Sequence, residues 1–73
     1  MMKERVFEYS PVGGRIIATL YMKNDVVHTR FEGNVPDFSL PFSAKHLEAI
    51  RRMFEDLKLR ADDMQEDHDL EIF

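Results

Sequence analysis

The sequence predicts an α+β fold: a small antiparallel sheet of about four strands, then one long amphipathic helix, then an acidic C-terminal tail, in the order ββββα. Three observations predict it. Residues 5–32 read as strands of period two, with Arg15–Lys23 apolar on both faces, interrupted by turn formers. Leu47, Ile50, Phe54, Leu57, Ala61 and Met64 then recur at steps of three and four, which is the apolar stripe of a helix. Beyond Ala61 the charge becomes wholly acidic.

In the first strand Arg5, Phe7 and Tyr9 alternate with Val6, Glu8 and Ser10, and Pro11, Gly13 and Gly14 force a turn after it. From Arg15 to Lys23 the better core face is Ile16, Ala18, Leu20 and Met22, leaving Arg15, Ile17, Thr19, Tyr21 and Lys23 on the other. Asn24-Asp25 tolerates positive φ and suits a tight hairpin leading into Val26–Glu32, where Val27, Thr29 and Phe31 oppose Val26, His28, Arg30 and Glu32. Phe38, Leu40 and Phe42 alternate with Ser39, Pro41 and Ser43 as a short fourth strand, and Pro41 confines it to an edge because it lacks a backbone donor. Ser43 is a good N-cap for a helix running to about Met64, its hydroxyl accepting from a first-turn N–H.

The 73 residues make one domain, with a core small enough that association into a homodimer is expected. Without cysteine there is no disulfide framework and no thiolate metal site, which fits a reducing cytoplasm. No apolar run approaches the roughly 20 residues of a membrane span, and Met1–Val6 is charged where a secretory signal leads into an apolar stretch. No membrane partner is expected. Residues 1–61 carry ten Lys and Arg against eight Asp and Glu, a balance of +2. Residues 62–73 carry six acids and no Lys or Arg, which brings the chain to −4. The chain therefore divides into a mildly basic body, 1–61, and an acidic tail, 62–73.

A four-stranded sheet has two faces and one helix covers one of them. Arg5, Phe7, Tyr9, Arg15, Ile17, Tyr21, Lys23, His28 and Arg30 are the candidates for the uncovered face, and Arg5, Tyr9, Arg15, Tyr21, Lys23, His28 and Arg30 are its candidate nucleic-acid contacts. Aromatic rings stack on unpaired bases while cations follow phosphates, so this mixture points to a single strand of nucleic acid. The same residue types also serve as ordinary strand surface, and Phe7 and Tyr9 suit a core equally well. The tail, reading DDMQEDHDLEIF, ends on large apolar side chains that a purely solubilising segment does not need. Asp67, Asp69, Leu70, Glu71, Ile72 and Phe73 are its candidate docking residues, an aromatic anchor with carboxylates around it. A final strand over Leu70–Phe73 is the competing expectation.

The order of elements and the junction Ser39-Leu40-Pro41-Phe42-Ser43-Ala44-Lys45-His46-Leu47 resemble the positive cofactor four-like family of single-stranded DNA-binding domains. That family commonly reads Leu-Ser-Pro-Glu-Gln-Trp at this point. Phe42, Ser43 and Leu47 stand in the places of its apolar residue, cap and aromatic, and its Pro and Trp are absent. The tail resembles the acidic, Phe-ending tips of bacterial and phage single-stranded DNA-binding proteins, with Ile72-Phe73 in place of the usual Pro-Phe. Together the resemblances imply single-stranded DNA binding on a curved sheet, a dimer, and recruitment of replication or repair proteins through the tail.

Enzymatic chemistry is not expected. His28, His46 and His68 lack a metal-ligand spacing, and Asp62–Phe73 lacks the glycine and terminal glutamate of a calcium loop. No cofactor is implied. The principal alternative function is that of an acidic interaction or inhibitor protein, a phage-type nucleic-acid mimic whose carboxylates meet a basic protein surface. A mimic needs its acids fixed on a folded surface, whereas a docking tail can be mobile.

Overall fold

The computed structural model describes residues 4–11, 13–34 and 42–72. Three strands, β1 (Glu4–Tyr9), β2 (Ile16–Lys23) and β3 (Val26–Gly33), form an antiparallel meander in the order β1-β2-β3, followed by one helix, α1 (Ala44–Ile72). The expected fourth strand falls on residues 38–42, of which 38–41 lie outside the described residues and Phe42 stands in no strand.

The β2–β3 hairpin turns on Asn24 and Asp25, both with positive φ (53° and 64°), the twist that suits a two-residue connection. At its far end Gly33, at φ 93°, pairs with Ile16 so closely that a Cβ would collide with the carbonyl oxygen of Arg15. That carbonyl accepts from the backbone N–H of Asn34 at 2.8 Å.

The core lies between the helix and the central strand. Ile16, Ala18 and Leu20 are fully buried and cluster with Met53, Leu57 and Met64, and Ile50 is buried as well. Phe7, Tyr9, Met22, Val27, Phe31 and Ala61 pack around this cluster. The expected inward face of β2 is therefore the observed one. The helical stripe is rotated from its expected position: Met53 is buried, while Leu47 and Phe54 stand 53% and 44% exposed on the flank nearer β3.

Ser43 caps the helix, its Oγ accepting from the His46 N–H at 3.2 Å and its carbonyl from the Leu47 N–H at 3.0 Å. The helix does not stop at Met64. It runs to Ile72, so the acidic stretch from Asp62 onward is its last third, continuous with the part that closes the core. At about 1.5 Å per residue, 29 residues span about 44 Å, which matches the 46 Å long axis of the molecule. No helix among the described residues is long and apolar enough to cross a membrane.

Candidate nucleic-acid interface

The sheet register decides which of the expected residues share the uncovered face. Pairing of Tyr21 with His28, Thr19 with Arg30 and Ile17 with Glu32 puts these six on the side away from Ile16, Ala18 and Leu20. On β1, Val6 opposes Thr19 and Glu8 opposes Ile17, so Glu4, Val6 and Glu8 complete that face. Because successive residues point to opposite sides, Arg5, Phe7 and Tyr9 turn towards the helix.

At the centre of the open face the Tyr21 and His28 rings stack across the strands, with centroids 5.7 Å apart and planes 22° from parallel. The Arg30 guanidinium lies over the Tyr21 ring at 5.7 Å from its centroid, a cation–π arrangement, and its Nε donates to Glu32 at 3.2 Å. Arg15 meets Glu8 at 2.8 Å. Lys23 is exposed beside the hairpin turn and makes no ion pair among the described residues. Thr19, beneath this group and flanked by Val6 and Arg30, is only 4% exposed, so the middle of the open face is already dry.

Arg15, Tyr21, Lys23, His28 and Arg30 are thus brought together. Arg5, Phe7 and Tyr9 are not, and their assignment to this face is corrected; Phe7 packs against the core with the Arg60 guanidinium 4.1 Å over its ring. Arg5 reaches across the sheet edge to α1, donating to Asp63 at 3.2 Å and Asp67 at 2.9 Å. Its hydrogen bond to Asp67 holds the guanidinium still further above its ordinary range. The Tyr9 hydroxyl donates to Asp56 at 2.6 Å; burial first, then this carboxylate, pushes its pKa up to about 12. The bond to Tyr9, with Arg60 second, holds Asp56 below the usual carboxylate range. Glu4, Val6 and Glu8 were missed as members of the open face. The signal for them lay in the opposite half of the β1 alternation.

With three acids, Glu4, Glu8 and Glu32, against Arg15, Lys23 and Arg30, the face is close to neutral when His28 is uncharged. The two ion pairs on it are solvent-exposed, a class whose partners exchange readily with other ions.

The docking residues also change setting. Asp67 is held by Arg5, and Asp69 accepts from Gln65 at 3.1 Å, both on a helix rather than on an extended tip. Leu70 is 70% exposed, Glu71 is exposed, Ile72 ends the helix, and Phe73 lies outside the described residues. Compared with known proteins, the chain matches no protein-family model, no curated protein and no solved structure.

Proposed function

We propose that this protein binds single-stranded nucleic acid, DNA by the resemblance of its strand-to-helix junction, across the open face of the sheet. The observation that carries this reading is the Tyr21–His28 stack with Arg30 over Tyr21, on a face that no other element of the described chain covers. An unpaired base stacks on the partly exposed Tyr21–His28 pair, while Arg15, Lys23 and Arg30 reach phosphates on either side. Exchanging Glu8 and Glu32 for phosphate frees no net charge on the protein, so binding is modest, and with about three phosphate contacts its salt dependence is shallow. The end of the helix from Asp67 to Ile72, with Phe73 after it in the sequence, recruits replication or repair proteins. The setting is the cytoplasm of a bacterial cell or of a phage-infected host.

Fluorescence anisotropy with labelled single-stranded and duplex oligonucleotides, at low and moderate salt, tests this reading. Single strands are expected to bind better than duplex, and Tyr21→Ala to cost about 1–3 kcal/mol, roughly five- to 150-fold in affinity. No single-strand binding at low salt, or an unaltered affinity in Tyr21→Ala, overturns it. The nucleic-acid mimic is then the better reading, because α1 holds its six acids from Asp62 to Glu71 at helical spacing on a folded surface.

A further inference from the structure

The helix α1 carries its charges in the reverse of the order that suits a helix. Its first turn has no acid and its last turn has no base. Residues 44–61 hold five Lys and Arg and three acids, and residues 62–72 hold six acids and no Lys or Arg. Peptide dipoles make a helix N-terminus positive and its C-terminus negative, so both ends here are charged with the sign already present. Arg5 answers Asp63 and Asp67, but Lys58, Asp62 and Glu66 make no ion pair among the described residues.

A second observation lies on the same helix. Leu47, Phe54 and Ala61, seven residues apart, line its β3-side flank, and the first two are about half exposed. Phe54 meets the edge of Phe31 at a centroid distance of 6.0 Å, and Phe31, Phe54, Leu57 and Ala61 border a shallow groove that Thr29 and Lys58 complete. Helical geometry puts Arg51, Lys58, Asp62 and Asp69 next to this seam on its solvent side. The groove is apolar, flanked by bases towards one end and by acids towards the other.

We infer that this flank is the interface with a second copy of the chain, the two α1 helices lying antiparallel and crossing near Phe54 to Ala61. Antiparallel pairing sets the basic half of each helix beside the acidic third of the other, opposes the two dipoles, and covers Leu47 and Phe54 in one step. A parallel pairing would set base on base and acid on acid. A two-fold axis through the crossing makes the contact self-complementary and closed, so association stops at two. The inference does not rest on the nucleic-acid reading, since the open sheet face lies on the other side of the sheet from α1.

The full chain supplies the test. Light scattering at tens of micromolar is expected to give a dimer that dissociates several-fold more readily at high salt, because screening removes the complementary charges. Phe54→Glu is expected to give a monomer with an unchanged circular dichroism spectrum. The chain lacks cysteine, so single-cysteine variants report the geometry in an otherwise unreactive background. Under mild oxidation Lys58→Cys, near the crossing, is expected to form a disulfide-linked dimer, and Arg51→Cys, two turns from it, to stay largely uncross-linked. A monomer at low salt, a dimer that Phe54→Glu leaves intact, or cross-linking of Arg51→Cys as efficient as that of Lys58→Cys each overturns the inference.

Discussion

The two parts of α1 are held to the sheet by different forces. From Ala44 to Ala61 the helix is fixed by apolar burial, with Met53 and Leu57 closing over Ile16, Ala18 and Leu20 and Ile50 buried as well. From Asp62 to Ile72, Met64 is the one buried apolar side chain among those described, and polar ties do the rest. Arg5 joins Asp63 and Asp67. Gln65 accepts from the Val27 N–H at 3.0 Å and donates to the Asp25 carbonyl at 2.9 Å, and His68 meets the Asp25 carboxylate at 3.0 Å. Apolar burial is indifferent to moderate salt, whereas exposed ion pairs are screened by it. One continuous helix therefore has a part whose attachment is constant and a part whose attachment follows the solution.

The largest expected effect tests the apolar part. Leu57→Ala removes a buried side chain facing the central strand and is expected to cost about 2–5 kcal/mol in a denaturant titration, lowering the stability of the whole domain. Tyr9→Phe comes next, since Tyr9 joins the two kinds of attachment by packing against the core while donating to Asp56. Loss of that charge-assisted bond is expected to cost about 1–2 kcal/mol at neutral pH. The raised pKa of Tyr9 means the folded state favours the neutral hydroxyl. Its contribution is thus full below pH 10 and is lost as the pH climbs through about 12. Between those values the wild-type chain is expected to lose stability faster than Tyr9→Phe, and parallel curves would show that the bond is not coupled to folding. Gln65→Ala is the smallest, about 1 kcal/mol, because solvent replaces part of what is lost. Hydrogen exchange is expected to quicken over residues 62–72 and at the Val27 amide in this variant, with residues 50–57 unaffected. Uniform acceleration along α1 would erase the distinction between its two parts.

How far each element could be read from the sequence follows from how much of its environment lies within it. The β2–β3 hairpin and its faces were legible because the alternation Ile16, Ala18, Leu20 and Met22, the first three fully buried, has one choice of side, and because Asn24-Asp25 can take up the required turn. Ser43 was legible as a cap because that role is local. β1 was not. Both halves of its alternation mix polar and apolar residues, and it runs beside the polar flank of α1, where Arg5 and Tyr9 find acids that come more than 40 residues later in the chain. The end of the helix was missed for a related reason: a stretch held mainly by polar ties shows no apolar stripe, so Asp62–Ile72 read as a tail. The stripe itself was misplaced by one residue type. A seven-residue repeat drifts about 20° per repeat on a straight helix, enough to carry Leu47 and Phe54 to the flank and bring Met53 inward. Of the candidate site, the β2 and β3 members came together as expected, because a hairpin's register follows from its turn.

Every pairing in the sheet joins strands that are neighbours in the sequence, and the helix that covers them comes afterwards. Contacts so local form early, since little loop entropy opposes them. During synthesis, which delivers the N-terminal elements first, the meander can assemble with Ile16, Ala18 and Leu20 bare, and it stays so until Met53 and Leu57 have emerged to cover them. The time spent in that state is set by the ribosome as well as by the chain. A pause over the codons for α1, or a truncation before Leu57, would turn a rapidly formed sheet into an exposed apolar surface with two unpaired edges, the form in which a β-sheet recruits its own copies into aggregates.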